Sequence, residues 1–115
     1  MKTFTSEQVD VDLSVAAQLQ PADMPGLVAA GFRSVINNRP DLEGGQSQPA
    51  SAQLEAAARE AGLDYRYLPV PPAGHTGEQA SRMATAVELL PKPVLAFCRT
   101  GRRSAALYGM TKGRA

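Results

Sequence analysis

The sequence predicts an α/β fold: a parallel sheet with helices on both faces. Short β-branched or apolar runs alternate with longer helix-forming segments along the whole chain. Two of those segments run directly into a glycine, Gly31 and Gly62, a natural stop for a helix. The last apolar run, Pro93-Val94-Leu95-Ala96-Phe97, has no polar interruption, the mark of a strand buried on both sides. An alternating strand-helix order with right-handed crossovers places helices on each face.

Taken in order, residues 13–17 read as a short strand and residues 21–30 as a helix whose first turn tolerates Pro21. Pro25 lies at the edge of that turn, so the start of the helix is free to slip. Residues 32–37 form a second strand, β-branched at Val35 and Ile36, broken by Asn38-Arg39-Pro40-Asp41. A Gly/Gln/Pro loop over 42–49 leads to a helix of Ala, Gln, Glu and Arg over 50–61. Residues 63–68 give a third strand, with Tyr65 and Tyr67 packing on one face and Pro69 ending it. After the rigid Pro71-Pro72-Ala73-Gly74-His75 loop, Thr76 and Gln79 fit a capping box that opens a helix through residue 90. The buried run at 93–97 is the fourth strand, and residues 104–110 close the chain as a helix.

One domain spanning residues 1–115 is expected from the length. A single Cys forbids an internal disulfide, and one Cys with one His falls short of a tetrahedral Cys/His zinc site. No cofactor or metal is therefore expected. Pro, Gly or a charge interrupts every apolar run before the ~18 residues a membrane span needs. No signal peptide is visible behind Lys2, so a soluble, cytoplasmic protein without membrane partners is the expectation.

The net charge of +1 argues against a strongly basic nucleic-acid binder. Its distribution is uneven. Residues 99–115 carry five basic side chains and no acid, against seven basic and eleven acidic over 1–98, a net of −4 there. The positive charge begins directly after the lone cysteine, in Cys98-Arg99-Thr100-Gly101-Arg102-Arg103-Ser104. A loop turning from the carboxyl end of a parallel strand into a helix N-terminus points backbone N–H groups at one spot and makes an anion site. Gly101 supplies the freedom for the turn. A cysteine against such donors and guanidiniums is in surroundings that favour the thiolate. A buried, inert cysteine is the bland alternative, but three arginines within five residues are costly to place beside a core unless an anion accepts them. Arg103 is the best candidate for two-pronged anion binding. Arg99 and Arg102 fit solvent as well as an anion, and Ser104 fits either a hydrogen bond to the reacting groups or a helix start.

Asp12-Leu13-Ser14-Val15-Ala16-Ala17-Gln18, Ser34-Val35-Ile36-Asn37-Asn38-Arg39-Pro40-Asp41 and the stretch from Pro93 through Ser104 resemble the phosphatase-like domain of the bacterial beta-lactamase-hydrolase-like proteins. That family is related to the cysteine-dependent dual-specificity phosphatases, and the resemblance spans residues 4 to 110. It implies a three-layer α/β/α, cysteine-phosphatase-like fold with a four-stranded parallel sheet. It also implies Cys98 as a nucleophile forming a phosphocysteine and Arg103 as the phosphate-binding arginine. Cysteine phosphatases separate these two residues by five others, whereas four separate Cys98 from Arg103. The stretch from Val70 to Glu78 also lacks the Asp that serves related phosphatases as general acid. His75, Glu78 and Asp41 are the candidates to replace it, His75 having the most suitable ordinary pKa.

The expected substrate is a small anionic or phosphorylated molecule. A rhodanese-like sulfurtransferase is the rival reading, because a six-residue Cys-to-Arg ring suits a persulfide and a sulfane-sulfur donor. A non-catalytic anion-binding module is the third. Asn37, Asn38 and Arg39 end the second strand at the same sheet edge as the Cys loop. They serve there as pocket residues, as anchors for the loop, or as a strand-ending turn.

Overall fold

Five strands and four α-helices follow one another in the computed structural model, which describes residues 4–73 and 75–112, the last two by backbone alone. The strands are β1 (Ser6–Asp10), β2 (Leu13–Ala16), β3 (Ser34–Asn37), β4 (Asp64–Tyr67) and β5 (Val94–Phe97). The helices are α1 (Met24–Ala29), α2 (Ser51–Ala61), α3 (Gly77–Leu89) and α4 (Arg102–Lys112), with a 3-10 turn over Pro21–Asp23 ahead of α1. The sheet order is β1-β2-β5-β3-β4, parallel except for β1. The sheet therefore has five strands, not the expected four. β1 is polar and mostly exposed, so no apolar run announces it. It pairs antiparallel with β2 around an irregularity between Gln8 and Asp10, and the Tyr108 hydroxyl of α4 donates to Asp10 Oδ2 at 2.8 Å.

Period-two alternation divides the core into two layers. Val35, Leu95 and Phe97 face α1 and α2, where they meet Met24, Leu27, Leu54 and Ala58. Leu13, Ile36, Val94 and Ala96 face α3 and α4, where they meet Met83, Val87 and Leu107. All four residues of β5 are fully buried, as its apolar run predicts. The three-layer α/β/α arrangement is thus present, with β5 at its centre.

Two strands begin later than the sequence suggests, and for one reason. After α1, Phe32 N–H donates to Leu27 O and Gly31 N–H to Val28 O, each at 3.0 Å. After α2, Leu63 N–H donates to Ala58 O at 2.8 Å and Gly62 N–H to Arg59 O at 3.0 Å. These are Schellman caps, with Gly62 at a φ of 96°. The residue after each glycine satisfies the helix end rather than entering the sheet. The capping box of α3 forms as expected: Thr76 Oγ1 accepts from Gln79 N–H at 3.1 Å, and Gln79 Oε1 accepts from Thr76 N–H at 2.8 Å. α4 begins two residues before the expected position 104, so Arg102 and Arg103 belong to its first turn.

Leu95 is fully buried at the centre of the sheet. Leu95→Ala is expected to lower the unfolding free energy by roughly 2–5 kcal/mol, read as a shifted urea midpoint with the native fold retained.

Candidate active site

β5 ends at Phe97, and the chain leaves the carboxyl edge of the sheet through Cys98 to Gly101 before α4 begins. Cys98 is 1% exposed. Its backbone N–H donates to Ala16 O at 3.3 Å, and its sulfur accepts the Gly101 N–H at 3.0 Å. Gly101 is required twice over. Its φ is 94°, and a Cβ there would lie 3.3 Å from the backbone C and O of Ala16. The turn leaves the N–H groups of Arg99, Thr100, Arg103 and Ser104 without acceptors among the described residues. At a helix N-terminus such donors favour an anion.

Cys98 opens onto a cavity of about 350 Å³ lined also by Pro72, His75, Arg99, Thr100, Arg102, Arg103 and Ala106. His75 is half-buried, and its Nε2 has no hydrogen-bond partner among the described residues. Arg99 and Arg102 are exposed at the rim, and their guanidiniums have no partner among the described residues. Thr100 Oγ1 accepts the Arg102 N–H at 3.3 Å. Of the basic C-terminal cluster, the Lys112 and Arg114 side chains lie outside the described residues.

Arg103 is held by a group the sequence does not single out. Its Nη1 and Nη2 donate to Glu43 Oε1 and Oε2, each at 2.9 Å, and Nη1 also donates to Val70 O at 3.0 Å. Glu43 Oε2 accepts from Arg39 Nε at 3.1 Å as well. Arg39 Nη1 in turn donates to Gln18 Oε1 at 3.0 Å. The Arg103 hydrogen bond foremost, and then that of Arg39, hold the Glu43 carboxyl below its ordinary value, outweighing the upward effect of burial. With both Nη1 hydrogens and one Nη2 hydrogen engaged, Arg103 retains its Nε–H and second Nη2–H. These form a parallel fork suited to an oxyanion.

The remaining sequence candidates take other positions. Asn38 is fully buried: its Nδ2 donates to Leu68 O at 3.0 Å, and its Oδ1 accepts the Ser104 hydroxyl at 2.8 Å. The ends of β3 and β4 are thereby tied to the first turn of α4, and the Ser104 proton is directed to Asn38. Asn37 accepts the Arg39 N–H at 2.8 Å and donates to the Tyr65 hydroxyl at 3.0 Å. Burial raises the pKa of Tyr65, which stays protonated beside Ser51. Asp41 does not line the Cys98 cavity. Its Oδ1 accepts the Ser51 N–H at 2.8 Å, at the start of α2, and its own N–H donates to the Tyr67 hydroxyl at 2.8 Å. Glu78 also stays outside that cavity, paired with Arg82 at 2.9 Å.

Residues 6–115 match the family of the beta-lactamase hydrolase-like protein, phosphatase-like domain. The chain belongs to that family. A beta-lactamase hydrolase-like protein of Agrobacterium fabrum is 39% identical over 103 residues, 88% of this chain and 23% of its own length. The chain therefore spans about a quarter of the curated relatives it matches. A candidate phosphatase from Neisseria meningitidis Z2491 superposes with a TM-score of 0.86 at 31% identity, covering 92% of this chain and 75% of that one. The core catalytic domain of the PP-IP phosphatase SIW14 from S. cerevisiae shares the fold at 13% identity, with a TM-score of 0.69 over 94% of this chain and 64% of that one. The phosphatase-like domain thus shares its fold with solved phosphatases, as the resemblance implies.

Because the Glu43 pKa is lowered in the fold, its stabilising contribution is present above the ordinary value of 4.5 and lost as pH falls through the lowered one. Glu43→Gln is expected to be less stable than the native domain at neutral pH. The gap should narrow as pH falls below 4.5, as read by thermal melts across that range.

Proposed function

We propose that the Cys98 cavity hydrolyses phosphomonoesters, with Cys98 as nucleophile, Arg103 as phosphate clamp and His75 as general acid. One observation carries this reading: the Cys98 sulfur accepts a backbone N–H from a helix-opening turn, in a cavity it shares with Arg103 and the unpartnered Nε2 of His75. In the thiolate form Cys98 attacks phosphorus. The S–P bond forms as the ester P–O bond breaks, and the leaving oxygen takes a proton from His75. Water then attacks the phosphocysteine with His75 now accepting a proton, releasing inorganic phosphate and the thiolate. Charge developing on the phosphoryl oxygens meets the Arg103 fork and the unpaired N–H groups of Arg99, Thr100, Arg103 and Ser104. Membership of a phosphatase-like family and the fold shared with phosphatases support the same reading.

Cys98→Ser is expected to abolish turnover of aryl phosphates while leaving the fold intact by circular dichroism. Thiosulfate-to-cyanide sulfur transfer by the native domain without phosphate turnover would move the site to sulfur chemistry. Activity on neither would make it an anion-binding module.

His75→Gln is expected to slow phenyl phosphate hydrolysis by about 10²- to 10⁴-fold. It should slow p-nitrophenyl phosphate much less, since that leaving group needs little protonation. Equal slowing of both would remove His75 from the role of acid.

A further inference from the structure

A second cavity, of about 460 Å³, adjoins the first and shares Pro72, Arg99 and Arg103 with it; its other lining residues are Arg39, Glu43 and Gly44. Three arginines and one acidic residue thus line it. Glu43 spends its carboxylate on Arg103 and Arg39. Arg99 has no partner among the described residues and lies on the wall between the two cavities.

Arg39 also keeps donor capacity. It is 9% exposed, and its Nε and Nη1 are engaged by Glu43 and Gln18, leaving Nη2 without an acceptor among the described residues. Gly44 makes room for that nitrogen: a Cβ at position 44 would lie 2.6 Å from it. A nearly buried guanidinium with a spare donor, an unpartnered one beside it and a missing side chain together form a polar recess. Setting one carboxylate, paired with two of them, among three arginines leaves the recess short of negative charge.

We propose that this recess is a second anion subsite, and that the substrate carries two anionic groups. One is the phosphoryl group that reacts at Cys98; the other is a phosphate or carboxylate held between Arg39 and Arg99. This inference rests on the phosphate reading of the Cys98 cavity and adds a substrate class to it. Of these two cavities Arg102 lines only the first, whereas Arg99 lines both, and the two are exposed cations of the same type three residues apart. They form a charge-matched pair for the test.

The experiment measures inhibition of p-nitrophenyl phosphate turnover by methylphosphonate and by methylene-, ethylene- and propylene-bisphosphonate. At least one bisphosphonate is expected to bind about tenfold more tightly or better than methylphosphonate, the effect of one added charged hydrogen-bonded contact. Arg99→Ala should erase that advantage, and Arg102→Ala should weaken both inhibitors while preserving their ratio. If no bisphosphonate gains over methylphosphonate, or if both variants lower the ratio equally, the second subsite is overturned while the hydrolytic reading stands. Absence of both turnover and methylphosphonate binding removes the phosphate reading itself, and this inference with it.

Discussion

Two arginines share one carboxylate at the edge of this sheet, and the geometry of the site depends on that arrangement. Arg39 and Arg103 are 9% and 8% exposed, and a guanidinium taken that far out of water is costly unless it is paired and hydrogen-bonded. Glu43 meets the need for both, through three hydrogen bonds of 2.9 to 3.1 Å. Its pairing with Arg103 is bidentate, which fixes the plane of the guanidinium as well as its position. An arginine on a flexible stem would lose side-chain freedom on meeting a phosphoryl group. Here that freedom is already restricted by Glu43 and the Val70 carbonyl, so on the proposed phosphate reading less ordering would remain for an arriving anion.

The loop around Cys98 is short, and its shape follows from close backbone approach. Gly101 bends back against Ala16 at the end of β2, and its N–H reaches the sulfur. α4 then begins at once, with Ala105 N–H donating to Gly101 O at 3.1 Å. Asn38 anchors the far side by accepting the Ser104 hydroxyl. The loop is thus gripped by the ends of β2 and β3, the two strands that flank β5. That grip lets a six-residue turn from Cys98 to Arg103 hold its shape without further support from the solvent side.

Much of the fold was legible because its signals are local. The apolar run of β5, the glycines closing α1 and α2, and the Thr76–Gln79 box each act within a few residues. The misses lack such signals. β1 pairs with β2 across only two residues, but it is polar and mostly exposed, so no apolar alternation marks it, and its Tyr108–Asp10 contact spans 98 residues. At the site, Cys98, His75 and Arg103 stood out in the sequence as candidates, and one cavity brings the three together. Glu43 was not, since it reaches Arg103 across 60 residues from a loop without periodicity. Its spacing of four from Arg39 was the one available hint, and outside a helix that spacing carries little weight.

The acids near the sheet edge complete the electrostatic logic. Asp41 and Glu43 are two residues apart on the same loop, yet they take opposite roles. Asp41 turns its carboxylate onto the first N–H of α2, and Glu43 turns inward to the buried arginines. Sending Asp41 to a helix start removes one negative charge from the mouth of the Cys98 cavity, where it would oppose an incoming anion. Arg99 and Arg102 remain unneutralised at the rim among the described residues. A chain with a net charge of only +1 thereby presents a cationic opening, because Asp41 and Glu43, the acids of the neighbouring loop, are bonded to Ser51 and to the buried arginines. The charge that matters to an approaching oxyanion is set by which carboxylates are already bonded, not by how many the sequence contains.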